Sequence, residues 1–164
     1  MLNTIINKLK QYALILWQLP QYLLGHLLVK LTRAKKRIAS TEHGVIEWYY
    51  RERSNWFTRF ISGVSLGEYI VLPHDNLDTI KHEHGHSIQS LYLGWLYLPV
   101  VGIYSAVFCN LWNRLLHNDW NSYDRHYWYY NRWTESWADM LGNVDRDAIL
   151  RRIPRPEDAQ FPAV

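Results

Sequence analysis

The sequence predicts a mainly helical α+β domain, and three patterns support this fold class. The chain has 164 residues, the length of one ordinary domain. Residues 44–72 are rich in β-branched and aromatic residues between turn signals, which predicts a small antiparallel sheet at about 44–72. Apolar residues with helical spacing before and after this region predict helices. We expect the sheet to lie beside a helix at 79–93, an apolar helical hairpin and a helix at 130–142.

Residues 1–38 predict a helical segment that associates with a membrane. Two apolar helical pieces, 4–19 and 22–31, are hinged at Pro20 and followed at once by basic residues. An apolar helix with a basic end suits an anionic membrane surface. The alternative is a core helix with a solvated basic end. We expect membrane lipid as a partner and a cytoplasmic-membrane location, with the functional site on the cytoplasmic side by the positive-inside tendency.

The composition limits the remaining function classes. The net charge is +3, and no Lys/Arg run accompanies a known nucleic-acid-binding motif, so no nucleic-acid partner is expected. Cys109 is the only cysteine, which excludes an internal disulfide and is compatible with a reducing compartment. The 9 Trp and 12 Tyr residues favour membrane interfaces and hydrated binding surfaces.

The strongest chemical signal is KHEHGHS at 81–87. On the predicted helix, His82 and His86 lie one turn apart on one face, where two neutral imidazoles can bind one zinc ion. Glu83 projects about 100° away from His82, beside an open coordination position, and there it can take a proton from zinc-bound water. We predict one zinc ion per chain and Glu83 as the general base. Because Gly85 is unfavourable inside a helix, we also expect a closely packed neighbour there.

The segment TESWADMLG at 134–142 offers a third ligand. Glu135 and Asp139 are one turn apart on the predicted helix, which ends at Gly142. Glu135 can complete the metal site, and Asp139 can accept a hydrogen bond from the outer nitrogen of a ligand histidine. The alternative is an ordinary solvated acidic face. With HExxH upstream, we favour the ligand interpretation.

The apolar stretch 91–116 separates the two motifs. As one straight helix it would extend about 39 Å, which is enough to cross a bilayer and to place the motifs on opposite faces. Pro99 and Gly102 interrupt the stretch near LPVVG. We therefore predict a buried or membrane-dipping hairpin, whose second arm returns the chain to the metal site.

HEHGH followed by ESWAD resembles the gluzincin zinc metallopeptidases, which share HExxH and a downstream glutamate ligand on a second helix. The ExxAD form after an apolar stretch is most similar to the membrane-bound branch that includes the CAAX prenyl proteases and the heat-shock membrane peptidases. Over roughly residues 65–142, the resemblance implies a strand beside the active-site helix that binds extended substrate, a position that SLGEYIVL holds in sequence. The site residues it implies are the ligands His82, His86 and Glu135, the base Glu83 and the supporting Asp139.

The chain departs from those enzymes in two respects. It is much shorter, and no motif identifies the side chain that stabilises the transition state. The candidates for that role are His126, Tyr127, Tyr130 and Arg146. In this scheme residues 39–148 form the gluzincin-like metallopeptidase domain, and residues 149–164 form a loosely ordered tail.

Three functions are compatible with these patterns. The favoured one is a membrane-associated zinc peptidase that hydrolyses a peptide or protein substrate through zinc-activated water. The second is a non-enzymatic, metal-binding membrane adaptor on the same scaffold. The third is a membrane di-iron enzyme, although the remaining histidines are scattered and form no paired boxes: His26, His43, His74, His117 and His126.

Overall fold

A computed structural model describes residues 2–52 and 63–162. The turn and strand predicted within 53–62 lie outside the described residues. Within those ranges the fold is mainly helical α+β, which confirms the predicted fold class. The helices are α1 Leu2–Trp17, α2 Leu19–Thr32, α3 Leu77–Leu93, α4 Trp112–Leu116, α5 Ser122–Tyr130, α6 Trp133–Gly142 and α7 Arg146–Leu150. The strands are β1 Lys35–Thr41, β2 Gly44–Tyr50, β3 Val64–Leu66 and β4 Tyr69–Leu72.

The predicted helical segment 1–38 is correct for α1 and α2 but wrong at its end, where β1 begins. Pro20 lies in the first turn of α2, where its missing N–H removes no helical hydrogen bond. β1 pairs with β2 along its whole length. Lys36 forms an ion pair with Glu47 at 2.6 Å, and Arg37 lies over the Tyr50 ring. These cross-strand contacts stabilise a strand that the basic run alone does not predict.

The four strands form one mixed sheet in the order β1-β2-β4-β3. Two neighbouring pairs, β1 with β2 and β3 with β4, are antiparallel. β1 lies outside the predicted sheet, and β3 and β4 form a hairpin in a segment that was predicted as one strand. The prediction is wrong for β2 and β4, which run parallel, because β3 joins at the outer edge and β4 returns between β3 and β2. One face of the sheet packs on α3 around a core of Ile46, Trp48, Ile70, Leu72 and Ile80.

The apolar stretch after α3 is bent, as predicted. Gly94 ends α3 with a φ of +52°, and a 3₁₀ turn over Gly94–Leu96 follows. A second helix, Leu98–Leu116, then starts at an angle of 120° to the first; we call it the returning helix, and α4 is its last part. Pro99 opens this helix, whereas Gly102 lies inside it. The predicted break is therefore placed slightly too far along the chain.

No single helix within 2–52 and 63–162 combines the length and apolar character that a membrane crossing requires. Leu77–Leu96 and Leu98–Leu116 meet that test only as a bent pair, by length and composition. After the returning helix, α5 leads to α6, and α6 packs against α3. The two sequence motifs therefore lie on adjacent helices.

α3 and α6 cross at very short range. A Cβ atom at Gly85 would overlap the carbonyl group of Ala138, and a Cβ atom at Gly142 would overlap that of Lys81. The close neighbour expected at Gly85 is confirmed. The predicted end of this helix at Gly142 is confirmed, and Asn143 after it takes the left-handed conformation with a φ of +55°.

The C-terminal tail is packed against α5, so the prediction of a loosely ordered tail is wrong for its last described residues. The fully buried carboxylate of Asp124 accepts hydrogen bonds from the backbone N–H groups of Gln160 at 2.9 Å and Phe161 at 3.4 Å. Phe161 also stacks on Tyr127, with ring centroids 5.0 Å apart. A buried acceptor and an aromatic surface thus hold the tail in place.

Replacing Gly85 with alanine tests the helix crossing. The added methyl group overlaps the Ala138 carbonyl, so we expect Gly85→Ala to lower the free energy of unfolding by about 1–3 kcal/mol. The higher helix propensity of alanine, about 1 kcal/mol, offsets only part of this loss. In the control Gly102→Ala, the nearest atom lies 3.4 Å from the new methyl group, and we expect no loss. Denaturant unfolding followed by circular dichroism measures both, and equal stabilities would contradict the close crossing.

Candidate metal centre

α3 and α6 bring His82, His86 and Glu135 into one buried group. Candidate donor atoms of the three residues all lie within 4.8 Å of one another. The Nε2 atoms of His82 and His86 lie 3.3 and 3.5 Å from Oε2 of Glu135. The side chain of Glu135 is fully buried, and both histidines are nearly so. The structure therefore places the three predicted ligands together.

The outer nitrogen of each histidine is held by an oxygen acceptor. His82 Nδ1 lies 2.7 Å from Asp139 Oδ1, the contact predicted from the sequence. His86 Nδ1 lies 2.8 Å from Gln89 Oε1. In these bonds Nδ1 carries the hydrogen and donates, which leaves Nε2 directed at the shared centre. A hydrogen bond on the outer nitrogen is the usual way in which proteins fix the tautomer and orientation of a ligand histidine.

Gln89 is a site residue that the sequence reasoning missed. It is fully buried, and its Nε2 donates to the carbonyl oxygen of Thr134 at 2.8 Å. The Thr134 hydroxyl in turn donates to Oε1 of Glu135 at 3.2 Å. A chain of hydrogen bonds thus connects His86 on α3 with Glu135 on α6. The available signal was its spacing, because residues i and i+3 of a helix share a face.

Arg146 supports Asp139 and does not face the cleft as a free charge. Its Nε and Nη2 atoms donate to the two carboxylate oxygens of Asp139 at 2.8 and 2.7 Å. Its guanidinium also lies 3.4 Å from the ring centre of Tyr130. Burial raises the pKa of Asp139, but Arg146 and His82 outweigh it and hold the pKa below its ordinary value. Asp139 is therefore ionised and oriented by a bidentate partner.

The group is electrostatically arranged around a positive charge. Burial lowers the pKa of His82, but the hydrogen bond with Asp139 and the adjacent carboxylate of Glu135 outweigh it and raise the pKa to about 9. Burial raises the pKa of Glu135, but His82 and His86 hold it well below its ordinary value. The two carboxylates thus favour a positive charge at this site. A divalent cation at the Nε2 atoms would be attracted directly by the carboxylate of Glu135, and by that of Asp139 through the imidazole ring of His82.

The donor set fits a metal ion. Oε2 of Glu135 is buried and makes no hydrogen bond, which is unfavourable for a carboxylate oxygen. A cation bound between this oxygen and the two Nε2 atoms would supply the missing partner. The buried His82–His86–Glu135 group could hold a metal ion, and within 2–52 and 63–162 it is the one such group of His, Cys, Asp or Glu side chains. The other histidines of those ranges form no second group, which disfavours the di-iron alternative.

Glu83 is buried on the neighbouring side of α3, against the sheet. The Ser65 Oγ atom lies 2.8 Å from Glu83 Oε2 and 2.6 Å from the backbone carbonyl oxygen of Glu83. The Tyr97 hydroxyl donates to the Ser65 carbonyl oxygen at 3.0 Å, which ties the bend to β3. Ser65 and Tyr97 were not predicted as site residues. Their contacts depend on the fold of distant segments and leave no local pattern.

The metal group opens into a cleft of about 1080 Å³ that is lined by β3, the returning helix and α5. His82, Glu83 and His86 all line it. The strand that borders the cleft is β3, Val64–Leu66, at the edge of the sheet, whereas β4 lies inside the sheet. Only the first residues of SLGEYIVL therefore occupy the position expected for the whole segment.

Two of the four candidates for transition-state stabilisation line the cleft. They are His126 and Tyr130, and the Tyr130 ring stands edge-on to His82 with centroids 5.3 Å apart. Burial raises the pKa of the Tyr130 phenol to about 12, so it remains a hydrogen-bond donor at neutral pH. Tyr127 stacks under the tail instead. Tyr129, which was not predicted, also lines the cleft.

Comparisons with known proteins assign no family. No family model, no curated protein and no solved structure matches the chain significantly. The gluzincin resemblance therefore stays a prediction that rests on two short motifs. The geometry described above is independent of it.

Metal analysis of the purified chain tests the buried group. We expect one metal ion per chain in the wild type and its loss in His86→Ala and Glu135→Ala, because two remaining donors are too few for a stable site. Elemental analysis of detergent-purified protein, prepared without chelators, measures the stoichiometry. The control His84→Ala changes a histidine of the same helix that lines a different groove, and it should keep the metal. Metal retention in Glu135→Ala would show that α6 provides no ligand.

Replacing Gln89 with leucine tests the support of His86. The variant leaves His86 Nδ1 and the Thr134 carbonyl without their partners, so we expect metal affinity to fall by about 10- to 100-fold, with one ion still bound at saturation. The control Ser87→Ala removes a hydroxyl that donates a weak hydrogen bond to the Glu83 carbonyl oxygen at 3.4 Å. Its metal affinity should match that of the wild type. Competition with a metal-sensitive chelator measures both. Equal affinities for the two variants would contradict a role for Gln89.

Proposed function

We propose that this chain is a zinc-dependent peptidase of the gluzincin type. The observation that carries the proposal is the position of Glu83. Its carboxylate is buried, lines the same cleft as His82 and His86, and is not one of the three converging donors. A carboxylate beside a metal group, but outside it, has the position that a general base requires.

The proposed metal is zinc, bound by His82, His86 and Glu135. Two imidazoles and one carboxylate form a common donor set of catalytic zinc sites, in which a fourth position stays open. Zinc in this site would polarise the scissile carbonyl group and lower the pKa of a water molecule. Asp139 and Gln89 keep the two imidazoles oriented for this role.

Ser65 gives Glu83 a hydrogen-bond partner in both protonation states. When Glu83 is ionised, the Ser65 hydroxyl can donate to its Oε2. Once Glu83 has taken a proton from the attacking water, its carboxylic acid can donate to Ser65 Oγ, and the serine proton can turn to the Glu83 carbonyl oxygen. Glu83 then passes its proton to the leaving amine. These contacts suit a group that alternates between acid and base.

The edge strand supports a peptide as the substrate class. Among the described strands, β3 pairs only with β4, and Val64, Ser65 and Leu66 line the cleft beside Glu83. An extended peptide can add to such an edge through main-chain hydrogen bonds. A peptide bound in this way would have its scissile bond beside the carboxylate of Glu83.

A non-enzymatic metal-binding adaptor is the second candidate function. It is favoured by the fact that Arg146 hydrogen-bonds Asp139 and Tyr127 stacks on Phe161, so two candidate transition-state groups are engaged elsewhere. The peptidase proposal therefore relies on Tyr130 or His126 to stabilise the negative charge that develops on the substrate.

Replacing Glu83 with glutamine separates the two functions. We expect Glu83→Gln to lower kcat by about 10²- to 10⁴-fold while zinc stoichiometry is unchanged, because the amide cannot accept the proton. A quenched-fluorescent peptide library in detergent micelles provides the assay. The control Glu68→Gln changes a carboxylate that lines a different groove, and its activity should equal that of wild type. If the zinc-loaded wild type cleaves no peptide, or Glu83→Gln is fully active, the adaptor is the better description.

A further inference from the structure

α1 turns its apolar face away from the molecule. Its other face lines a groove against β2 and α3 with Gln11, Leu14 and Ile15. The outward face carries apolar residues at helical spacing, with exposed fractions of 50% for Ile5, 62% for Leu9, 66% for Tyr12 and 63% for Leu16. A surface helix of a globular protein normally shows the opposite orientation, with its apolar stripe on the core. The stripe of α1 is therefore available to a partner.

This stripe is continuous with the bend after α3. The Trp17 indole N–H donates to the Leu91 carbonyl oxygen at 2.8 Å, and the Trp95 indole N–H donates to the Leu16 carbonyl oxygen at 2.8 Å. The buried Gln21 side chain also donates to the Gly94 carbonyl oxygen. These bonds fix the junction of α1 and α2 against the bend. Both α2 and the bend add exposed apolar side chains, which are Leu23, Leu24, Leu27, Leu31, Leu91, Tyr92, Trp95 and Leu96.

We name this combined surface the apolar wedge: the stripe of α1 together with the exposed apolar residues of α2 and the bend. α1, α2 and the residue that caps α2 also carry exposed basic side chains, which are Lys8, Lys10, Lys30 and Arg33. Residues 1–41 contain no aspartate or glutamate. Two copies of such a surface would repel each other, whereas anionic lipid headgroups attract it. Tyr and Trp side chains within the wedge also favour the boundary between headgroups and acyl chains.

We infer that the apolar wedge docks into one leaflet of an anionic bilayer, with α1 in the plane of the interface and the bend below the headgroups. Helices of this kind bury their apolar face at the headgroup boundary and keep their charges among the headgroups. The negative surface potential of the cytoplasmic leaflet makes that leaflet the expected partner. The inference does not depend on the metal group or on peptidase activity, so either can fail without the other.

Vesicle binding by a paired set of variants tests the wedge. Leu9→Gln with Leu16→Gln removes two stripe residues, and we expect binding to vesicles of phosphatidylcholine and phosphatidylglycerol to weaken by about tenfold or more. The control Ile38→Gln with Val45→Gln alters two side chains on β1 and β2 that are each 65% exposed, and its binding should match wild type. Circular dichroism and the thermal midpoint show that both variants are folded. Absence of wild-type binding, or equal loss in both variants, overturns the inference.

A fluorescent probe on α1 distinguishes an in-plane helix from other arrangements. Leu9→Cys and Asn7→Cys place a thiol on the outward and the polar face, and buried Cys109 should not react. With the dye NBD attached, we expect a blue shift on vesicle addition at position 9 but not at position 7. A shift of equal size at both positions would indicate full immersion of α1 and overturns the in-plane arrangement. Light scattering tests a second copy of the chain as the partner. If the wild type is a dimer that Leu9→Gln with Leu16→Gln dissociates, and vesicle binding does not change, the face belongs to a second copy and the inference is overturned.

Discussion

The site depends on the close contact between α3 and α6. The two helices meet at Gly85 and Gly142, which have no side chains to hold the backbones apart. A histidine or glutamate side chain is short, so donors on two helices converge only if the helix backbones approach closely. A methyl group at either glycine would overlap a backbone carbonyl of the other helix. Gly85, inside α3, costs about 1 kcal/mol of helix propensity relative to alanine, and the crossing gives a physical reason for that cost. The site geometry is thus set by two residues that contribute no functional atom.

The sequence predicted the site better than the sheet, for a physical reason. HExxH and ExxAD each place their residues one helical turn apart, so local geometry alone aligns them. The prediction that the two motifs meet across the bend followed from ligand chemistry, because two histidines alone leave a catalytic metal site one protein ligand short. β1 was missed because its basic residues acquire favourable partners only when β2 lies beside them. Ser65 and Tyr97 likewise reach the site through contacts between distant segments. Gln89, by contrast, had a readable helical spacing.

Polar and apolar side chains are distributed unusually in the described chain, and this distribution relates the buried metal group to the exposed apolar wedge. α3 and α6 bury several charged and polar side chains between them, and Oε2 of Glu135 is the atom there that no hydrogen bond satisfies. Such a network is stabilising only when its members are satisfied. Apolar side chains, in turn, are exposed on α1, α2 and the bend. The core between the sheet and α3 is correspondingly small. A cation bound between α3 and α6 would give Oε2 of Glu135 a partner, and a bilayer would cover the exposed apolar side chains.

The separation of the paired residues along the chain adds a consequence for folding. His82 and Asp139 are 57 positions apart, and the bend, the returning helix and α5 must all be in place before they meet. An ion ligated by both helices would hold the two ends of this loop together in the folded protein and stabilise that state by its binding free energy. Because only the assembled form brings the three donors together, metal occupancy would also report completed folding. A chain synthesised without available metal would lack this cross-link and open more often to proteases, so the supply of the ion would regulate the lifetime of the protein as well as its chemistry.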